Sequence, residues 1–141
     1  MNALAMLLWV PPASADPAMR EAQSCVESKL DELYAQGWRS RGGLTRVRIE
    51  VDQSHTSEHV LLGGFDVTFR ACAARGAIDL DLVLYDDDGT IVAKDEGMSR
   101  DPILSVKVPR TGRYRLVTYL RKAQPRAGAV PAAVALTFQL P

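Results

Sequence analysis

From Ile78 to Leu84 apolar and acidic residues alternate, with Ile78, Leu80, Leu82 and Leu84 on one side of an extended chain and Asp79 and Asp81 on the other. A helix would scatter those positions around its axis. The run continues as Tyr85-Asp86-Asp87-Asp88-Gly89, and Asp-Gly is a pair that accepts the positive φ of a tight hairpin turn, so Ile91 to Ala93 are expected to return as a second strand. Period two recurs at Val47, Ile49 and Val51, at Phe65, Val67 and Phe69, and at Leu104, Val106 and Val108. Pro109-Arg110-Thr111-Gly112 then makes a turn, and strands over Arg113–Leu120 and Val134–Leu140 complete the set, with a loop over Gln124–Ala129. About eight short strands separated by turn residues predict a mostly β fold, an antiparallel, jelly-roll-like β-sandwich over residues 44–141.

One segment keeps a different period. Met19, Ala22, Val26, Leu30 and Leu33 recur at intervals of three and four, behind Asp16 as a cap and Pro17 in a first turn, and ahead of Gly37 as a stop. This predicts an amphipathic helix within residues 16–38, packed on the sandwich. Before it, the apolar run Ala3–Val10, the pair Pro11-Pro12 and the small residues Ala13-Ser14-Ala15 have the form of a secretory signal peptide over residues 1–15, cleaved before Asp16. The apolar run is too short to cross a bilayer.

A chain of 141 residues has room for one domain built on one core. Its lysines and arginines balance its acids at 17 each, which predicts no general attraction to nucleic acid. The two signs are segregated along the chain. Asp79, Asp81, Asp86, Asp87, Asp88, Asp95, Glu96 and Asp101 cluster in the middle, whereas Lys107, Arg110, Arg113, Arg115, Arg121, Lys122 and Arg126 follow with no acid among them. Acidic and basic strands are therefore expected side by side, with Asp79 and Asp81 facing Arg113 or Arg115. The chain has two cysteines, Cys25 and Cys72, and in an exported protein an even pair predicts a disulfide, here one that ties the helix to a strand.

Two clusters carry candidate chemistry. His55-Thr56-Ser57-Glu58-His59 spells H-x-x-E-H, the basis of an alternative reading as a small zinc-dependent hydrolase using His55, Glu58 and His59. That chemistry needs the two imidazoles one helical turn apart, yet loop-like residues precede the segment and a strand follows it. Asp86, Asp87 and Asp88 could offer oxygen ligands to calcium, giving a second alternative, a calcium-stabilised structural domain. There is no G-x-S-x-G elbow, no phosphate-binding loop and no dinucleotide fingerprint, so no cofactor other than calcium is expected.

Gly64-Phe65-Asp66-Val67, the strand Asp79-Leu80-Asp81-Leu82-Val83-Leu84-Tyr85-Asp86 with Gly89, then Val108-Pro109 and Thr111-Gly112-Arg113-Tyr114-Arg115-Leu116 resemble the bacterial pre-peptidase C-terminal domain over about residues 60–140. The resemblance implies a secreted or periplasmic bacterial β-sandwich, in some cases associated with calcium or with a polymeric substrate. Together with the absence of a catalytic constellation, it predicts an exported, non-enzymatic binding or accessory module. Its partner would be a protein or a polymer of the cell envelope or extracellular space.

Overall fold

The computed structural model describes residues 16–95 and 97–141, so the signal-like segment lies outside the described residues. The chain forms a helix α1 (Pro17–Ala35) and nine strands: β1 (Arg39–Ser40), β2 (Thr45–Ile49), β3 (Ser54–Leu61), β4 (Asp66–Ala73), β5 (Ala77–Asp86), β6 (Ile91–Asp95), β7 (Ile103–Lys107), β8 (Gly112–Ala123) and β9 (Val130–Gln139). One antiparallel sheet runs β2-β9-β4-β7, with the short β1 beside β2 on the same edge of β9. The other runs β3-β8-β5-β6. From β2 to β9 the strands alternate between sheets, except for the β5–β6 hairpin within one sheet, which is jelly-roll order, so the two hydrophobic faces meet and close one core.

The alternation seen in the sequence fixes most of that core. Leu80, Leu82 and Leu84 of β5 are almost fully buried opposite Phe69 and Val67 of β4, with Tyr114, Leu116 and Leu120 of β8 in the same cluster. Ile78 leaves the predicted face. The register against β8 is irregular between Ala77, paired with Ala123, and Leu80, paired with Leu120: Asp79 pairs with Lys122, so Ile78 on β5 and Arg121 on β8 each fall outside the register and the two shifts cancel. Ala77 takes the core position and Ile78 is exposed, the usual consequence of a bulge. Asp79 falls opposite Lys122 within this irregularity and Asp81 opposite Tyr119 beyond it, with Asp81 3.7 Å from Arg121, whereas Arg113 and Arg115 lie further along β8, opposite Val60 and opposite Glu58 and Tyr85.

Helix α1 starts as its sequence directs. Asp16 caps it by accepting the Ala18 N–H at 3.0 Å, and Arg48 of β2 hydrogen-bonds the same carboxylate. That hydrogen bond, followed by the one from Ala18, holds the Asp16 carboxyl below its usual range. The buried stripe Ala22, Val26 and Leu30 lies on Cys72, Ala133 and Ala135, on the face of the β4–β9 sheet away from the core. Small side chains on β9 let the helix approach, and a disulfide from Cys25 to Cys72 fastens it there, with Cα atoms 6.0 Å apart. Strand β9 is consequently buried on both faces. This explains why its sequence from Val130 is a nearly unbroken apolar run, and why period two located only the part from Val134 onward.

Candidate functional site

Three turns meet at one end of the sandwich: β3–β4 (Leu62–Phe65), β5–β6 (Asp87–Thr90) and β7–β8 (Val108–Thr111). Backbone hydrogen bonds lock the first to the third. The Gly64 N–H donates to the Val108 carbonyl at 2.8 Å, and the Val108 N–H donates to the Phe65 carbonyl at 2.9 Å. The Gly63 N–H adds a bond to the Thr111 hydroxyl at 2.9 Å. The approach is so close that a Cβ at Gly63 would sit 2.9 Å from Arg110 Cα and from the Thr111 nitrogen, so only glycine fits there.

The second turn is tied in by charge. Asp86 Oδ1 accepts the N–H groups of Asp88 and Thr90, both at 2.9 Å, and shapes the hairpin. Asp86 Oδ2 and Asp88 Oδ2 each lie 3.4 Å from the Arg110 guanidinium. From below, the buried Tyr114 donates its hydroxyl to the Arg110 carbonyl, anchoring the β7–β8 turn to the core. Around this platform Leu62, Val60 and Leu140 are exposed apolar side chains. Arg110 and Asp88 are well solvated, so their pair contributes under about 1 kcal/mol to stability, while the sheltered Asp86, 14% exposed, orients Arg110 from the turn.

The acidic turn proposed as a calcium ligand set is thus arranged around an arginine. Two of its three carboxylates, Asp86 and Asp88, face the Arg110 cation, and Asp86 also spends an oxygen on the turn itself. This is not the converging oxygen cage that calcium requires.

The H-x-x-E-H segment lies on β3, an edge strand, and not on a helix. His55, Ser57 and His59 point inward and are half-buried, while Glu58 points outward and is exposed. Four residues along a strand separate the two histidines by about 13 Å of backbone, so they and Glu58 do not converge. Among the described residues the one grouping of three potential ligand side chains is Cys25, Cys72 and Asp101, and both cysteines there belong to the disulfide.

His59 has a structural partner on each side. Its Nε2 is 2.8 Å from the Ser57 hydroxyl, and its ring meets Phe69 edge-on at 5.2 Å. Burial pushes its pKa below the ordinary histidine value of 6.5. The unfolded chain therefore takes up a proton at His59 more readily than the folded one. This costs nothing above about pH 6.5 and progressively destabilises the fold as pH falls below it. Melting temperature is expected to drop between pH 7.5 and 5.5 more steeply for the natural chain than for His59→Gln. Parallel curves for the two would remove His59 from the acid response.

Among the residues of the turn platform, Arg110, Leu62 and Gly63 carry no motif. Pro109-Arg110-Thr111-Gly112 is recognisable as a turn, but nothing local shows which other turns it touches.

The molecule is a disulfide-tied jelly-roll sandwich with a rigid end and no converging catalytic groups among the described residues. No protein-family model and no curated protein matches the chain. Among solved structures it is similar to Aeromonas hydrophila PliG, a periplasmic lysozyme inhibitor of g-type lysozyme, with 14% sequence identity and a TM-score of 0.53, covering 71% of this chain and 88% of that one. At that identity the likeness is one of fold. Among the described residues no helix is long and apolar enough to cross a membrane.

Proposed function

We propose that the chain is an exported, non-enzymatic module that binds a protein partner through the stitched end of its sandwich. One observation carries this: three turns from distant parts of the chain are held together by backbone bonds, the Tyr114 anchor and Arg110, and they present exposed Leu62 and Arg110 on a pre-set surface. A surface ordered before binding loses little conformational entropy on docking, which favours affinity. Arginine and a large apolar side chain are suitable anchors for such a contact. The disulfide suits an oxidising compartment. The fold shared with a periplasmic lysozyme inhibitor supports a protein as partner and makes a g-type lysozyme the first to assay. On this reading the strand and turn that resemble the pre-peptidase C-terminal pattern serve as scaffold (Leu80, Leu82, Leu84) and as platform (Thr111 to Tyr114).

The test is titration of the purified mature chain against g-type lysozyme, following both binding and cell-wall lysis. Binding that suppresses lysis is expected, and Leu62→Asp or Arg110→Ala should weaken it roughly thirtyfold with little change in melting temperature. No binding to lysozymes of the g-type or of the other types would overturn the reading. Equal binding by the natural chain and both variants would move the contact off this end.

A further inference from the structure

The two seams of the sandwich differ. On one side Asp95 at the end of β6 accepts the Ile103 N–H at 2.8 Å at the start of β7, so the two sheets are joined by a short crossing. On the other side the edge formed by β1 and β2 faces β3 and is interrupted. β1 ends with Ser40 opposite Thr137, and β2 resumes with Thr45 opposite Val134, so Arg41 to Leu44 face only Ala135 and Leu136. The extra residues bulge out, and two of them, Gly42 and Gly43, have no side chain to turn inward. A cleft of about 430 Å³ remains between the sheets, lined by Leu61, Phe65, Val67, Leu136 and Phe138.

Its mouth carries one strong charge. Arg41 belongs to the β1–β2 edge, and its guanidinium reaches across the seam to the Val60 carbonyl on β3 at 3.4 Å. It pairs with no carboxylate among the described residues, and no acidic side chain lines the cleft. A volume in the range of small-molecule sites, an apolar interior and a single cationic group at the rim are complementary to an apolar tail ending in an anion. Guanidinium binds carboxylates through two parallel hydrogen bonds, and one arm of Arg41 already resting on a carbonyl leaves the others free. Because Arg41 spans the mouth from one sheet to the other, the opening suits a slender chain better than the surface of a folded protein.

We propose that this cleft binds a free unbranched alkyl carboxylate, its chain between the sheets and its carboxylate on Arg41. The cleft shares Leu62 and Phe65 with the β3–β4 turn of the platform, but Arg41 and the rest of its apolar interior lie outside the turns, and the proposal does not rest on the lysozyme reading. The test is amide chemical-shift titration of the mature chain with decanoate below its micelle-forming concentration, beside decanol and decyltrimethylammonium. Decanoate should shift Leu61, Val67, Leu136 and Phe138 saturably, decanol should bind about tenfold more weakly, and the cation weaker still. Arg41→Gln, an exposed change that leaves the core intact, should cost decanoate about tenfold and leave decanol unchanged, and Leu136→Trp should abolish both. The proposal fails if decanoate produces no saturable shifts at the cleft, or if Arg41→Gln binds it as well as the natural chain. It fails equally if these residues respond only to an added protein partner.

Discussion

Replacing Cys25 and Cys72 together by alanine is expected to lower the free energy of unfolding by about 4 kcal/mol, the largest single effect a surface-to-sheet link in this chain can have. The bridge spans a sequence separation of 47 and encloses the end of α1, all of β1, β2 and β3, and most of β4. Opening it restores to the unfolded chain the conformations that the loop forbids. It also leaves α1 held by its narrow stripe, Ala22, Val26 and Leu30 on the small surfaces of Ala133 and Ala135, and by exposed contacts of Asp16 with Arg48 and of Glu21 with Arg75 and Arg100. Alanine is the right replacement because Cys72 is fully buried, and a serine hydroxyl there would add a desolvation cost unrelated to the cross-link. Urea unfolding of the double variant should show an earlier midpoint, and the natural chain in strong reductant should move to nearly the same place. A loss below about 1 kcal/mol would mean that α1 and the sandwich hold each other without the bridge.

Much of this architecture could be foreseen from side-chain alternation, and the exceptions have identifiable causes. Leu80, Leu82 and Leu84 were legible because one face of β5 meets the core. Ile78 was not, because a register irregularity is a property of two strands and β5 alone cannot reveal that Ile78 and Arg121 of β8 both fall outside the pairing. Strand β3 was hard to recognise because neither of its faces is apolar: Ser54, Thr56 and Glu58 face water, and His55, Ser57 and His59 line a half-open seam. Its H-x-x-E-H spelling suggested a helical metal site, yet a period-two backbone sends Glu58 to the side opposite both histidines. In β9 the difficulty was reversed, since α1 on one side and the core on the other remove the polar positions that mark a strand.

The candidate site was less visible for a related reason. Its parts are joined by contacts such as that between Gly63 and Thr111, 48 residues apart, and no local pattern encodes them. Asp86 to Asp88 could be seen as a concentration of negative charge, whereas the cation that meets it, Arg110, comes from a turn on the other sheet's connection. The cleft under Arg41 depends on something more easily overlooked, two glycines in the basic stretch between the predicted helix and the predicted sandwich. Residues 39–43 instead supply both the short strand β1 and the gap in the edge.

Phe69→Ala is expected to cost about 3–5 kcal/mol, in the range of the disulfide loss but by a different route. The ring is fully buried in β4 and crosses the core to meet His59 of the opposite sheet edge-on. Truncating it removes a large apolar surface and leaves a void beside a histidine that already borders the open seam. Water can enter such a polar-walled space, and burial is what lowers the His59 pKa, so hydration should return that pKa toward its ordinary value. The two effects are separable. At pH 7.5, where His59 is neutral in both chains, urea unfolding reports the packing loss alone. On lowering the pH to 5.5 the natural chain should lose further stability, and Phe69→Ala should lose less, because its folded and unfolded states then bind the proton with similar affinity. A histidine ring titration by NMR checks the cause directly. If His59 in Phe69→Ala keeps its depressed pKa, the packing of Phe69 is not what keeps the seam dry, and the acid sensitivity of the fold must arise elsewhere on β3.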